Sequence, residues 1–333
     1  MGSATFIFFF ALLALPLATL ELLSSLDKDL QRAELNPMTI TVGHDGSTDF
    51  NNITDAIASI PPNNTSRVVV EIRPGFYREK VVIPMDRQFV TLSGDAANPP
   101  TISWNDTAST TGTTSKSAAV TVIGNYFIAT YIQFENSAPT PKSGAEKGQA
   151  VAARVKGDKA AFYHCAFVGY QDTLYDQQGL HYFSKCFIQG TLDFICGNGR
   201  SLYEDCHLNF IGESKSWITA QKRDKESNKT GFSFVGGHIT GLGHGMVYLG
   251  RPWGRFSTVV FSSTQMDQLV EPQGWDNFWS NEDRSKTIYY AEYASWGLGA
   301  NDTGRVPWYH KLTEAEASTF RGKDYINGST WIL

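Results

Sequence analysis

The chain has few cysteines and no cluster of basic residues, and each shortage excludes a class of protein. Four cysteines among 333 residues are too few to staple a small domain, so a large hydrophobic core must supply most of the stability. The net charge of −5 disfavours a nucleic-acid partner, because phosphates are bound by clustered Lys and Arg. The sequence also has no Gly-rich phosphate loop, no closely paired metal ligands and no Gly-x-Ser-x-Gly elbow. These absences disfavour a zinc site and a serine-esterase triad.

The longest apolar run lies at the N-terminus and indicates a targeting segment. Residues 6–15 are apolar, too short a run to span a membrane but placed like the core of a signal peptide. We predict a signal peptide at residues 1–24, a connector without a fold of its own at 25–37, and a single domain at 38–333. Seven glycosylation sequons also favour a secreted protein. Their asparagines are Asn52, Asn63, Asn64, Asn105, Asn228, Asn301 and Asn327.

A short repeat recurs in the middle of the chain, and its period predicts the fold class. Three near-copies contain Cys165, Cys186 and Cys206, which are 21 and then 20 residues apart. A period near twenty, built of short apolar runs broken by Gly, Asn and Asp, favours a solenoid in which each repeat is one coil of a parallel β-helix. We interpret the three cysteines as small, buried, stacked residues. The sequence leaves open a disulfide between adjacent coils.

Short β-branched segments support an all-β fold, because no amphipathic helices separate them as in βαβ units. We predict one helix at 53–60, ended by Pro61, and a second in the tail from Thr313, which we expect to cap the end of the solenoid. Two loops, at 107–117 and 137–148, should leave the coils and wall a groove. The predicted strands are 38–42, 68–72, 80–83, 89–92, 119–122 and 127–129.

Two aspartates have equal positions in consecutive repeats. Asp172 lies seven residues after Cys165, and Asp193 lies seven residues after Cys186. Equal offsets predict carboxylates on adjacent coils, roughly 4.8 Å apart along the stacking direction. Repulsion would raise the pKa of one carboxyl and leave the other charged, which is what an acid paired with a nucleophile or base requires. A lone aspartate here would more simply be a turn former, but the pair in register favours catalysis.

Five motifs, in order along the chain, resemble those of the plant pectin methylesterases (pectinesterases). The likeness extends from about residue 41 to residue 331, and Ala153 and Cys196 depart from it, because the family more often has Leu and Phe there. The resemblance implies a right-handed parallel β-helix and an enzyme of the type without the inhibitor-like pro-region. The motifs are GFYRE at 75–79, QAVAAR at 149–154, GYQDTLY at 169–175, DFICGN at 193–198 and LGRPW at 249–253.

The resemblance also implies an activity and the residues that perform it. The substrate would be methyl-esterified homogalacturonan, and the products free carboxylates and methanol. Asp193 would be the nucleophile and Asp172 the acid and base. Gln149 and Gln171 would stabilise the oxyanion. Arg251 would orient Asp193 and keep its pKa low.

Further contacts and partners follow from the same resemblance. Tyr175 and Trp253 would stack on sugar rings, and Gln149, Arg251 and Thr114 would also contact substrate. Pectin is the expected partner, with an inhibitor protein left open, and we expect no nucleic acid and no membrane for the mature protein. The resemblance implies no metal and no organic cofactor. We expect a monomer, secreted to the cell wall or extracellular space.

Two other classes of function remain open from the sequence, namely another β-helix pectin enzyme and a pectin-binding protein. A β-helix glycosidase also uses paired carboxylates, and a lyase would require calcium ligands and a basic proton abstractor. A pectin-binding protein without catalysis could use the same groove. Product analysis separates them, because an esterase gives methanol without shortening the chain, a glycosidase gives shortened chains and a lyase gives unsaturated ends.

Overall fold

The computed structural model describes residues 25–141, 146–243 and 245–333, and in these ranges the chain winds into a parallel β-helix. Each full coil contributes one strand to each of three parallel sheets, which we number 1 to 3. The predicted all-β parallel β-helix is confirmed. The signal peptide predicted at residues 1–24 lies outside the described residues. Within the ranges given above, no helix has the length and apolar character needed to cross a membrane.

The strands of each sheet come from consecutive coils and pair in parallel. Sheet 1 contains β1 (Met38–Val42), β2 (Val68–Ile72), β5 (Val90–Ser93), β8 (Ile128–Thr130), β11 (Ala160–Tyr163), β14 (Leu180–Ser184), β17 (Arg200–Glu204), β20 (Gly231–Val235), β23 (Thr258–Ser262), β27 (Tyr289–Tyr293) and β28 (His310–Lys311). Sheet 2 contains β3 (Phe76–Arg78), β6 (Thr101–Trp104), β9 (Gln133–Asn136), β12 (Ala166–Val168), β15 (Phe187–Gly190), β18 (His207–Phe210), β21 (His238–Gly241) and β24 (Gln265–Met266). Sheet 3 contains β4 (Val81–Ile83), β7 (Val120–Val122), β10 (Ala153–Val155), β13 (Leu174–Asp176), β16 (Ile195–Gly197), β19 (Ser216–Gln221) and β22 (Val247–Pro252). A separate antiparallel hairpin is formed by β25 (Phe278–Trp279) and β26 (Glu282–Asp283).

The repeat found in the sequence forms a ladder of stacked side chains. Phe162, Phe183 and Tyr203 pair in register in sheet 1, with ring centroids 4.9 and 4.6 Å apart. Aromatic pairs of this kind add about 0.5–1.5 kcal/mol each beyond the burial of their area. All four cysteines of the sequence are among the described residues, and all are buried free thiols, so the disulfide that the sequence left open does not form.

Short α-helices lie outside the coils. The helix predicted at 53–60 is confirmed, and it ends at Ser59 because Ile60 is extended ahead of Pro61. Its first turn is capped by Asn52, whose side chain accepts the backbone N–H of Asp55 at 2.7 Å. The helices of the described ranges are α1 (Lys28–Ala33), α2 (Ile53–Ser59), α3 (Ala108–Thr111) and α4 (Glu314–Ser318).

The connector predicted at residues 25–37 does have a fold of its own, since it contains α1. Leu30 and Ala33 lie on one face of α1, and with Leu26, which precedes the helix, they are buried in one cluster with Trp331. The prediction was wrong because the polar residues around them hid this short apolar face.

The helix predicted in the tail is confirmed as α4, but the tail is placed differently from the prediction. It runs across the outer face of sheet 1, where Ala317 of α4 packs with Val260 and Ala291. The hydroxyl of Ser233 in β20 donates to the carbonyl of Phe320 at 2.7 Å. The tail lies there because it shields the apolar side chains on the outer face of sheet 1 from water. The last strand of that sheet is β28.

The fold encloses Asn64, one of the seven sequon asparagines. Its side chain is 8% exposed, and its amide donates to the carbonyls of Ser66 at 2.6 Å and Gln88 at 2.8 Å. A glycan on that nitrogen would displace these bonds. We expect glycopeptide mapping of the protein from a glycosylating host to find Asn64 unmodified and the exposed Asn301 accessible; a glycan on Asn64 of the folded protein would contradict the burial.

Candidate active site

Asp172 and Asp193 lie at the same corner of adjacent coils, between a strand of sheet 2 and a strand of sheet 3. Gln171 and Leu192 form a parallel bridge between these coils, and the N–H of Asp172 donates to the carbonyl of Leu192 at 3.0 Å. Both aspartates have a left-handed backbone, with φ of 58° and 47°, which Asp tolerates better than most residues. The structure therefore brings the two residues together as their equal offsets predict.

Both carboxyl groups are buried, with exposed fractions of 9% for Asp172 and 5% for Asp193. Burial raises the pKa of Asp172 well above its usual value, and the charge of Asp193 raises it further. Burial also raises the pKa of Asp193, although the guanidinium of Arg251 opposes this. The pKa of Asp193 is therefore raised overall, and the prediction that Arg251 keeps it low is wrong. The order of the two groups still leaves Asp172 protonated when Asp193 is ionised.

Arg251 of β22 reaches Asp193 across an intervening strand. Cys196, Ala220 and Arg251 are in register on three neighbouring strands of sheet 3, and the methyl group of Ala220 leaves space above that strand. Nε of Arg251 donates to Oδ1 of Asp193 at 2.9 Å, and Nη2 donates to Oδ2 at 2.5 Å. This bidentate pair fixes the orientation of the carboxylate.

Cys196, one of the two departures from the family pattern, lies close to the site. It is buried between Tyr175 and Ala220 in the register of sheet 3. Burial, together with Asp172 and Asp193, raises the pKa of this thiol well above its usual value. The thiol of Cys196 is therefore neutral. In the sequence, the only indication of this placement was that Cys196 follows Asp193 by three residues.

Gln149 and Gln171, the predicted oxyanion donors, lie at the same corner as the carboxylates. Gln171 directly precedes Asp172, and its carbonyl accepts the N–H of Ala150 at 3.0 Å. This bond places Gln149 on the preceding coil. Both glutamines are half-buried, as side chains at the edge of a groove are.

The first of the two predicted loops closes over this corner. The N–H of Ala108 in α3 donates to the carbonyl of Gln149 at 2.7 Å. Asn136, which was not identified from the sequence, connects the loop to the coils by donating to the carbonyl of Ser117 at 3.2 Å. Thr114 is half-buried in a 3₁₀ turn of the same loop. Part of the second loop, residues 142–145, lies outside the described residues.

Aromatic side chains form a cluster that reaches Arg251. Tyr175 and Trp253 have ring centroids 6.2 Å apart. Trp217 and Trp279 were not identified from the sequence, and both contact the guanidinium of Arg251. Nothing in their spacing indicated this, since Trp279 belongs to the hairpin outside the coils.

The chemistry available here is nucleophilic and acid–base. Asp193 offers a charged oxygen held by a cation, and Asp172 offers a proton beside it. Nowhere in the described part of the chain do three His, Cys, Asp or Glu side chains form a group able to hold a metal ion. The arrangement suits acyl transfer from an ester.

Comparison with known proteins identifies relatives that share this fold. The family model described as Pectinesterase matches residues 39–329. Pectinesterase 31 of Arabidopsis thaliana is 40% identical over 300 residues, covering 86% of this chain and 92% of the relative. The structure of the pectin methylesterase from carrot has a TM-score of 0.82 and 33% identity, covering 90% of this chain and 95% of its own. A crystal structure of a pectin methylesterase in complex with a hexasaccharide has a TM-score of 0.76 and 26% identity, covering 88% of this chain and 98% of its own.

Proposed function

The chain belongs to the pectinesterase family, and from that premise we propose that it is a carboxylic ester hydrolase that removes methyl groups from homogalacturonan, leaving carboxylates and releasing methanol. The observation that carries this proposal is the bidentate pair of Arg251 and Asp193 beside a second buried aspartate, Asp172. The relative in complex with a hexasaccharide supports a sugar chain as the ligand.

In the first step, Asp193 is the nucleophile. Its charged oxygen attacks the ester carbonyl carbon, and collapse of the tetrahedral intermediate breaks the bond to the methoxy oxygen. The product of this step is an acyl-enzyme, in which Asp193 is joined to the sugar carboxyl as an anhydride. Arg251 holds the attacking carboxylate charged and oriented.

Asp172 moves the protons in both steps. It donates its proton to the departing methoxy oxygen, which leaves as methanol. It then accepts a proton from the water that attacks the acyl-enzyme, and the second collapse frees Asp193. The pKa of Asp172, raised by burial and by Asp193, matches the first of these roles.

Gln149 and Gln171 support the tetrahedral intermediates, with amide N–H groups directed at the oxyanion. Such a donor is worth about 2.7–4 kcal/mol of transition-state stabilisation. Tyr175 and Trp253 stack on sugar rings on the far side of the carboxylates, and Thr114 contacts the substrate from the loop. We place the protein, as a secreted monomer, in the cell wall, where pectin is the substrate.

Methanol release from highly methylated pectin by the wild-type protein tests this proposal. Methanol without shortening of the polymer supports an esterase. Shortened chains would indicate a glycosidase, and unsaturated ends a lyase. A folded protein that binds pectin without releasing methanol would be a binding protein.

The pH profile of kcat/KM should have an acid limb and a basic limb, and the pKa values that set both should lie above the ordinary aspartate value of about 3.9. Asp193 must be ionised to attack, and because burial raises its pKa, activity should fall as pH decreases through that raised value. Asp172 must be protonated, so activity should fall as pH rises through its own, higher pKa. Initial rates of methanol release between pH 3 and 9, plotted as kcat/KM, measure both limbs. An acid limb at an ordinary aspartate pKa would contradict the burial of Asp193.

A further inference from the structure

The guanidinium of Arg251 lies over two indole rings. Its Cζ is 4.1 Å from the ring centroid of Trp217 and 4.6 Å from that of Trp279. Trp217 belongs to β19, on the coil after that of Asp193, whereas Trp279 belongs to the β25–β26 hairpin. The proposed mechanism uses neither tryptophan.

Hydrogen bonds join the two elements that carry these rings. Nε1 of Trp217 donates to Oδ2 of Asp276 at 2.9 Å, and Oδ1 of the same carboxylate accepts the N–H of Phe278 at 2.9 Å. After the hairpin, Nη1 of Arg284 donates to the carbonyls of the two residues that follow Arg251, at 3.0 and 2.7 Å. The hairpin is therefore attached to the coils on both sides of the arginine.

We propose that Trp217 and Trp279 are positioning residues that clamp Arg251 in the geometry in which it binds Asp193. This inference rests on the proposed function, because it deepens the role of the same site. Contact with two rings restricts the planar guanidinium, whose Nε and Nη2 donate to the carboxylate of Asp193. One ring alone would leave the group freer to tilt away.

Loss of the clamp has a chemical consequence that a general loss of packing does not have. Arg251 opposes the effect of burial on the pKa of Asp193. When the guanidinium turns away, that opposition weakens and the pKa of Asp193 rises. The acid limb of the activity profile should therefore move to higher pH, and kcat should fall because the nucleophile is less often charged and oriented.

Four variants test the clamp. Trp279→Leu and Trp217→Leu each remove one aromatic face, whereas Trp279→Phe keeps a ring. The matched control is Trp296→Leu, because Trp296 is 58% exposed and lies at the end of sheet 2 beside Gln265. Each protein is compared by kcat, KM, the pH profile of kcat/KM and thermal unfolding.

We expect each Leu variant to lose about tenfold in kcat and to shift the acid limb upward by about half a pH unit or more. Trp279→Phe should retain most of the wild-type kcat and most of the wild-type position of the acid limb. Trp296→Leu should match the wild type in both. A rise in KM alone, with the acid limb unmoved, would overturn the clamp and make Trp279 a sugar-stacking residue. Unchanged kinetics in both Leu variants would also overturn it.

A crystal structure of the Trp279→Leu variant without substrate tests directly whether Arg251 keeps its position. We expect the bidentate bonds between Arg251 and Asp193 to be broken, and their retention would overturn the inference whatever the enzyme's substrate is. Absence of methanol release by the wild type would instead refute the proposed function. The two failures are therefore distinguishable.

Discussion

Replacing Asp193 with Asn is expected to reduce methanol release from methylated pectin at least about a thousandfold. The amide carries no charge, does not attack an ester carbonyl, and cannot form the ion pair that Arg251 makes with the native carboxylate. Asp172→Asn should reduce kcat by roughly a hundred- to ten-thousandfold, because it removes the proton donor and acceptor of both steps. Initial rates of methanol release by the purified variants measure both effects.

Asn at either position should leave the protein folded, so a loss of methanol release would not be due to misfolding. Asp172 and Asp193 have left-handed backbones, and Asn tolerates that conformation as Asp does. Asp205→Asn is the matched control, because Asp205 has φ of 52° but is exposed at another corner of the coils. It should be as active as the wild type. Appreciable methanol release by a folded Asp193→Asn protein would exclude Asp193 as the nucleophile.

A second large effect is expected at a buried ion pair inside the coils. Nδ1 of His181 lies 2.5 Å from Oδ1 of Asp176, and Nε2 lies 2.9 Å from the carbonyl of Gly157. Both neighbours are acceptors, so both ring nitrogens carry hydrogen and the imidazole is charged. The hydroxyl of Tyr203 donates to the other oxygen of Asp176 at 2.6 Å. The carboxylate also requires Gly199, since a Cβ there would lie 2.2 Å from Oδ1 of Asp176.

Asp176→Asn should reduce the free energy of unfolding by about 3–5 kcal/mol, because it leaves a buried imidazolium without its counter-charge. Tyr203→Phe, which removes only one hydroxyl donor, should cost about 1–3 kcal/mol. Urea unfolding at pH 6 measures both, with Asp205→Asn as the control that should match the wild type. An Asp176→Asn protein as stable as the wild type would show that His181 is neutral in the folded state.

The stability that this pair supplies should depend on pH. Burial opposes the charge of His181, but the attraction of Asp176 and the hydrogen bonds outweigh it, so the pKa of His181 is raised from 6.5. The stabilisation is therefore complete below the unfolded-state pKa of about 6.5 and is lost as pH rises through the folded-state pKa. The difference in unfolding free energy between the wild type and Asp176→Asn should shrink as pH increases from 6 to 9. A difference that stays constant would contradict a charged His181.

The coils and the aspartate pair were predictable because a solenoid turns sequence spacing into spatial order. Coils of nearly constant length, paired in parallel, place equal offsets next to one another, which is why the repeat aligned Phe162 with Phe183 and Asp172 with Asp193. The same spacing left the cysteines ambiguous, since stacked thiols and a disulfide have the same period. Only the coordinates distinguished them.

Side-chain partners far apart along the chain followed no such period. Arg251 lies 58 residues from Asp193, and the family resemblance, rather than spacing, predicted their pairing. The clamp on Arg251 and the charge of His181 appeared only when Trp279 and Asp176 were placed beside them. The same is true of the net direction of the pKa of Asp193, which depends on how far the site is buried.

The sequence by itself determined the repeat, the all-β fold and the stacking of Asp172 on Asp193, because these follow from local pattern and coil length. The tertiary structure alone decided the hairpin beside Arg251, the course of the tail over sheet 1 and the position of Cys196 between Tyr175 and Ala220. Those features depend on which strand face each side chain occupies and on the space that neighbours such as Ala220 leave. Neither the strand face that a side chain occupies nor the space beside it can be calculated from distance along the chain.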